Sequence, residues 1–465
     1  MAIDMISQKT PSIWSLTWPI TIEMMLQFLL GTADSLMVSR ISDDAVAVVG
    51  ISNVFFNAVI VLFTLITGGS GILIAQKLGA GKPEDARKIG IMSVSLTLLM
   101  GIIVSISLIY GTDLFASLMQ VPANLRGLSH TYMSIVGGGL AITALNLSMS
   151  TAVRNTGNTR SPMYISIGMN VLHIALNYAF IFGAFGFPKW GLLGVAISTV
   201  VSRSIAFFFQ LRLFRHAFGI PVALREFKNV HIRLLKEVAK IGWPISVNGA
   251  SWTFSQLVIF SMIASMGEQP LATRTYMNSM ESFAFTFGWS LALAAQIQIA
   301  HLFGAKKLKD AYYAAYRALG FGVTVVLANT ALLLLFRAQI ISAFTSNSWI
   351  IDMAISLLWL NLALQPGKML NMALGQSLSA IGDSRTVMSY SLPSMWIIAV
   401  GLSYVLAIPL HMGLYGIYIG MISDEYLRGA LCLMRWRKHR KKLIFASVFR
   451  EEVGSSQHDG NVVPM

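Results

Sequence analysis

"LGAGKPEDARK" (residues 78–88) contains a Gly-Ala-Gly-Lys run that invites reading as a phosphate-cradling loop. The full pattern needs a Gly five places before the Gly of the Gly-Lys pair, and Ser or Thr after the Lys. Gln76 and Pro83 occupy those two places, so the match fails at both ends. The same residues make sense as a turn between helices. Gly79 and Gly81 suit a helix C-terminus, where a left-handed residue is often required. Pro83, Glu84 and Asp85 suit the first turn of the next helix, where a missing N–H costs nothing and negative charge meets the positive end of the dipole.

The stretch has a partner. "LGAGKPEDA" (78–86) matches "FGAKKLKDA" (303–311), with Gly79 and Gly304, Asp85 and Asp310, Ala86 and Ala311 each 225 residues apart. The same offset relates "TWPIT" (17–21) to "GWPIS" (242–246), Asn53 to Asn278, Asn146 to Asn371, and "GNTRSPM" (157–163) to "GDSRTVM" (382–388). Near the end the offset becomes 222, relating "GLLGVAI" (191–197) to "GLYGIYI" (413–419). One register held over this distance indicates two duplicated halves.

Composition says what the halves are made of. Of 465 residues 55% are hydrophobic and 12% charged, against roughly 25% charged in a soluble protein. Most of the surface must therefore face lipid, and each crossing needs about 20 apolar residues. Apolar runs predict helices at 13–38, 45–77, 89–111, 127–152, 162–184, 190–214, 238–266, 270–302, 312–335, 349–379, 386–409 and 412–434. This is an all-α polytopic membrane protein with six helices per half. Six is even, so both halves start on the same side and the pseudo-twofold axis runs along the membrane normal. Parallel halves with a site between them are a transporter architecture.

The net charge of +14 lies in short loops and in "RWRKHRKK" (435–442), which argues for membrane orientation and against nucleic-acid binding. Basic residues crowd alternate loops, and the positive-inside rule puts those loops and both termini in the cytoplasm of an inner or plasma membrane protein. The expected division is an N-terminal lobe at 1–214, a cytoplasmic linker at 215–237, a C-terminal lobe at 238–436 and a basic, polar tail at 437–465. Lys9 and Pro11 precede a first span that reads as permanent, so no cleaved signal peptide is expected. Cys432 is the single cysteine, which excludes an internal disulfide and disfavours a Cys-based metal site.

Ionisable residues inside spans are functional candidates, because charge is costly there. Asp34 lies in the first span, fifteen residues after Pro19. A carboxylate partly withdrawn from water can exchange a proton near neutral pH, or hold Na⁺ with other oxygens. In the fifth span Asn170, His173 and Asn177 share one helix face. Two readings stand for that stripe: part of an ion site with Asp34 and Thr199, or hydrogen-bond glue between helices. His173 has no second His or Cys beside it, so no metal site is expected. Glu23, one turn after Pro19, is a further coupling candidate. Pro19 and its counterpart Pro244 are the expected hinges, since a proline frees a carbonyl and permits bending. Glu281 and Lys368 lie in apolar runs of the second half, where they either pair or meet substrate. With Gln27, Asn53 and Asn278 they are the substrate-cavity candidates. Arg203 and Glu425, equivalent at offset 222, read as structural charges, and Arg428 can pair with Glu425 or Asp424 on its own helix. Asp34 corresponds to Ile259 and Gln27 to Trp252, so only the first half carries the acid.

Over residues 10–436 the chain resembles the multidrug and toxic compound extrusion (MATE) family of antiporters. The resemblance is carried by "PITIEMMLQFLLGTADSLMVSRISDDAVAVVG" (19–50), "AQKLGAGKPEDARK" (75–88), "RNTGNTRSPM" (154–163), "LNYAFIFG" (176–183) and "GDSRTVM" (382–388). It implies that Asp34 is the N-lobe acid that binds H⁺ or Na⁺. It also implies two six-helix bundles around a cavity, and export of organic cations or other toxic compounds without a cofactor. Asn177 stands where the family often has Asp, and His173 where it usually has Asn. Positions that carry acids in the NorM-like branch match Trp252 and Lys368. Trp252 and Lys368 there point away from a C-lobe cation site and towards an N-lobe one, Lys368 also disfavours a purely cationic substrate range, and Asn177 in place of Asp leans from Na⁺ towards H⁺. The expected partners are a small-molecule substrate and the lipid bilayer, with the chain a monomer. The competing reading is a lipid-linked oligosaccharide flippase of the same broad superfamily, which would carry several basic cavity residues. A membrane-embedded enzyme is disfavoured, because the sequence offers no nucleophile–base arrangement, metal cluster or phosphate loop.

Overall fold

The computed structural model describes residues 11–440 apart from 120, 219–225 and 228–231. Parts of the expected linker, and the tail beyond Arg440, lie outside the described residues. Within them no β-strand occurs, and twelve long helical segments follow one another. They are α1 (Ile13–Val38), α2 (Asp43–Gly79), α3 (Pro83–Leu118), α4 (Ala123–Asn155), α5 (Arg160–Phe182), α6 (Leu192–His216), α7 (Ile232–Ser265), α8 (Glu268–Gly304), α9 (Leu308–Leu335), α10 (Ser348–Ala380), α11 (Ser384–Ala407) and α12 (Gly413–Arg440). All but α7 and α12 are apolar enough in composition to count as spans on that ground alone. The middle of α12 carries Asp424, Glu425 and Arg428.

Several helices outrun the sequence expectation. α2 starts at Asp43 and α3 at Pro83, with Asp43, Asp44, Glu84 and Asp85 in their first turns. Hydropathy detects only the part that must lie in hydrocarbon. The backbone continues helical beyond it, because acidic first turns suit the helix N-terminus. At 1.5 Å per residue, α3 with its 36 residues spans roughly 54 Å, well past a hydrocarbon core of about 30 Å.

The opening stretch folds as a turn. Gly81 is left-handed at φ 69°. The Lys82 N–H reaches the Lys77 carbonyl at 2.9 Å, and the Gly81 N–H reaches that of Leu78 at 3.0 Å. Pro83 then opens α3. The same turn recurs 225 residues on: Lys307 N–H to Leu302 O at 3.0 Å and Lys306 N–H to Phe303 O at 3.1 Å. There the left-handed residue is Lys306, at φ 59°, a conformation that costs a non-glycine residue roughly 1–2 kcal/mol. Repetition thus extends below residue identity to backbone geometry.

The chain divides into two compact units, one mainly Trp18–Lys77 with Lys82–Ser246, the other mainly Val247 onwards. In the first, Val48, Phe63, Met133, Leu140, Ala144 and Ala196 belong to one buried core. Ser70, Ser93 and Ser148 tie α2, α3 and α4 through hydroxyl bonds of 2.8 and 3.1 Å. Small residues and hydroxyls are what helix packing in lipid uses, since lipid removes the hydrophobic incentive for association. In the second unit Ile259, Met277, Leu357, Leu364, Ile417 and Tyr418 form the corresponding core.

Candidate functional site

Asp34 sits on α1 with its side chain one quarter exposed (26%). Two residues of α5 hold it. His173 Nε2 lies 2.9 and 3.1 Å from its two carboxylate oxygens. Asn177 Nδ2 donates to Oδ1 at 2.9 Å. An ionised Asp34 can only accept, so His173 must carry its proton on Nε2 to bond it. The other ring nitrogen faces Ser202 Oγ at 3.3 Å. Asn177 is held in turn, its Oδ1 accepting from Ser198 on α6. Tight packing makes that last bond available: a side chain at Gly194, one turn earlier on α6, would collide with Phe180 of α5.

The carboxylate faces a cavity of about 130 Å³, room for several water molecules. Asn53 and Asn57 of α2, Tyr132 of α4, His173 of α5, and Thr199, Ser202 and Arg203 of α6 also line it. The structure therefore brings together Asp34, His173, Asn177, Thr199 and Asn53. Asn170 shares the stripe and is buried, but neither amide atom finds a hydrogen-bond partner. Gln27 and Asn278 are exposed and join neither this cluster nor the one below. Arg203, read from the sequence as a structural charge, also lines the cavity, one guanidinium nitrogen donating to Thr143 Oγ1 at 2.8 Å.

The second unit holds a different cluster. Glu281 of α8 is 2% exposed. Arg274 Nη1 reaches it at 3.1 Å, Lys368 Nζ at 3.2 Å and the Tyr418 hydroxyl at 2.6 Å. Glu281 and Lys368 thus pair, one of the two outcomes the sequence allowed. Arg274 and Tyr418 escaped the sequence reading. Arg274 lies two turns before Glu281 on the same helix, a spacing that could have suggested the pair. Tyr418 gave no signal, because only packing brings α12 to α8.

Three further charged clusters involve residues singled out in the sequence or their neighbours. Glu23 pairs with Arg154 at 3.4 Å. Arg428 bonds Asp424 and lies 3.1 Å from Glu425, as its helix spacing suggested. Asp383, between α10 and α11, accepts from Arg435 Nε at 2.6 Å, His439 Nε2 at 2.8 Å and Thr386 Oγ1 at 2.6 Å. Burial pushes its carboxyl up, but the bonds from His439, Arg435 and Thr386 outweigh that and hold it well below the usual carboxylate range. Pro19 and Pro244 both lie inside unbroken helices.

Comparison with known proteins places the chain in a family. The MatE family profile matches residues 19–179 and 244–405, one segment in each half. The chain is 33% identical over 431 residues to the uncharacterized transporter YisQ of Bacillus subtilis (strain 168), covering 93% of this chain and 95% of that one. It is 28% identical to the probable multidrug resistance protein NorM of Thermotoga maritima, with 90% of each covered. A solved structure of MATE in the bent conformation superposes with a TM-score of 0.88 at 21% identity, covering 96% of this chain and 99% of that one. At that identity the likeness speaks for the fold.

Proposed function

The chain belongs to the MatE family of transporters, and on that premise we propose that it exports toxic organic compounds, cationic or amphipathic, by ion-driven alternating access. The coupling ion in this reading is H⁺, taken up and released at Asp34. One observation carries it: a lone carboxylate on a small cavity, with both oxygens already accepting from His173 and Asn177. Histidine is the side chain whose charge changes nearest neutral pH. A bare metal cation would have to displace those donors and would find few other anionic oxygens. The multidrug-resistance names of the relatives support the substrate class.

The wider reading keeps the two lobes, 1–214 and 238–436, joined by a linker and followed by a basic tail. It makes the protein a monomer in the plasma membrane with both termini cytoplasmic, and Pro19 and Pro244 the bending points. The flippase alternative needs free basic residues in the cavity. Lys368 is engaged by Glu281 at 3.2 Å, which favours the exporter.

Efflux of an aromatic dye cation from inverted or reconstituted vesicles tests the reading. Collapse of the pH gradient should stop it, and replacement of Na⁺ by choline should leave it unchanged. A strict Na⁺ requirement would overturn the proton assignment, and no efflux under either gradient would overturn the exporter.

A further inference from the structure

His173 presents both ring nitrogens to partners, and the hydrogens between them can be counted. Nε2 lies 2.9 and 3.1 Å from the two Asp34 oxygens. Nδ1 lies 3.3 Å from Ser202 Oγ. His173, Ser202 and Thr199 are all buried, and all three line the cavity that Asp34 faces. A serine hydroxyl has one hydrogen. Ser202 can direct it to Nδ1 or to the Thr199 carbonyl at 3.1 Å.

Two arrangements of hydrogens fit these heavy atoms. In the first, Nε2–H donates to an ionised Asp34, Nδ1 is bare, and Ser202 donates to it. In the second, the pair has gained one proton. Nδ1–H donates to Ser202 Oγ, and the Ser202 hydrogen turns to the Thr199 carbonyl. Passage from one to the other needs a hydroxyl rotation and no displacement of a side chain. A proton placed on Asp34 alone fits worse, because Asp34 O–H would then face Nε2–H, donor against donor. Relief comes when the ring hydrogen moves to Nδ1, leaving Nε2 to accept from Asp34 and from Asn177 Nδ2 at 3.0 Å. Either way the gain ends as Nδ1–H on Ser202.

The other charged or titratable groups on the wall are Arg203 of α6 and Tyr132 of α4, while α2 adds the amides Asn53 and Asn57. Arg203 interacts electrostatically with Asp34. A proton on the ring keeps that attraction, whereas a proton on the carboxylate removes it. A tyrosine hydroxyl ordinarily stays neutral where an imidazole titrates. The second half lacks the pair as a whole: at offset 225, Asp34 and His173 correspond to Ile259 and Ile398.

We infer, resting on the proton reading above, that Asp34 and His173 form a single proton site in which the added proton is held on His173 Nδ1 against Ser202. The proton comes from cavity water: an O–H bond of a hydronium breaks as the Nδ1–H bond forms. His173 then sets the pH range of coupling, since imidazole is the side chain that titrates nearest neutrality.

Nitrogen-15 NMR of the full-length, detergent-purified chain labelled at histidine tests this, with pH taken from about 8 to about 5.5 across the ordinary imidazole range. The His173 signal is the one missing from His173→Asn. That ring should pass from singly to doubly protonated. Ser202→Ala removes the acceptor and should lower proton affinity roughly tenfold, moving the midpoint down by about one pH unit, as loss of a hydrogen bond to a charged group implies. Ser202→Thr, which keeps the hydroxyl, should restore it. Asp34→Asn should also move the midpoint down, because the ring loses its anionic partner. A His173 ring whose protonation does not change over this range overturns the inference. So does a midpoint indifferent to both Ser202→Ala and Asp34→Asn. If His173→Asn fails to fold, the signal is the one those two variants shift, and no shifted signal overturns the inference equally. A titrating ring with Na⁺-driven efflux removes the proton-coupled reading alone, and proton-driven efflux with a ring that does not titrate removes this inference alone.

Discussion

Asp34 and Glu281 are both carboxylates inside the helical bundle, one in each half, and they have opposite surroundings. Asp34 is a quarter exposed, faces a cavity and is held by neutral or titratable partners. Glu281 is 2% exposed and held by an arginine, a lysine and a phenol. The first arrangement leaves a carboxylate open to a cavity and, among the described residues, free of any cation within 4.0 Å other than His173 when that ring is protonated. The second locks a charge whose loss would strand Arg274, itself 2% exposed. The repeat sharpens the contrast. Ile259 stands at the position of Asp34 and is fully buried in the apolar core of its unit. The two halves share a scaffold, and substitution has given one a carboxylate on a cavity and the other a carboxylate locked among cations.

The largest effect that would break this contrast is on activity in the first half. Asp34→Asn keeps the shape but removes the negative charge. Drug tolerance of cells carrying it should fall to the level of the empty vector, with normal membrane abundance. Tolerance equal to wild type would show that Asp34 is no more a site than Glu281. Next in size is a stability effect in the second half. Glu281→Gln leaves Arg274 and Lys368 without their shared anion, a change that costs about 3–5 kcal/mol when a buried pair is broken. Thermal unfolding in detergent should move sharply down, and efflux per folded molecule should change far less. A stable but inactive variant would erase the distinction.

Asn177→Ala should act more gently. It removes a donor to Asp34 and the acceptor of Ser198, worth about 1–3 kcal/mol together, and should slow efflux roughly tenfold without loss of fold. The smallest effect belongs to Asp383, whose counterpart in the first half is the uncharged Asn158. Its carboxyl is held low in the folded state. Its stabilisation is therefore complete above the ordinary carboxylate pKa of about 3.9 and is lost as pH falls through the lower folded value. Unfolding temperature measured from pH 6 downwards should drop below about pH 4, and less steeply in Asp383→Asn. Parallel curves would assign the acid sensitivity elsewhere.

Much of this was legible in the chain. Apolar runs located all twelve helices, and the 225-residue register exposed the duplication. Asp34 stood out because charge in an apolar run is rare. The i, i+3, i+7 stripe placed Asn170, His173 and Asn177 on one face, although only the last two reach Asp34. What stayed hidden depends on contacts between distant segments. Ser198 and Tyr132 are ordinary residues until packing turns them towards Asn177 and the cavity. Arg203 looked like a structural charge because the sequence showed its equivalence to Glu425 but not that it lines the same cavity as Asp34. Lys306 gave no hint of its left-handed backbone, since the identity of the residue argues against it.

The shift in repeat offset from 225 to 222 has a physical location. Phe182 and Ala407, the last residues of α5 and α11, still differ by 225, whereas Gly191 and Gly413, both at positive φ, differ by 222. The missing residues belong to the connection, 183–190 in one half and 408–412 in the other. The longer version carries a short 3₁₀ turn at Ala184–Gly186 and an aromatic clasp, with Trp190 stacked on Phe180 at 4.9 Å and Phe187 edge-on to Phe180 at 5.3 Å. The shorter version manages the same helix-to-helix crossing without them. One molecule thus contains a deletion experiment already performed on its own loop, and the outcome is that length here is negotiable. That makes 408–412 the natural place to insert a short epitope: the insertion restores a length the fold already tolerates next door, and antibody access to it in intact cells reads out which side of the membrane the loop occupies.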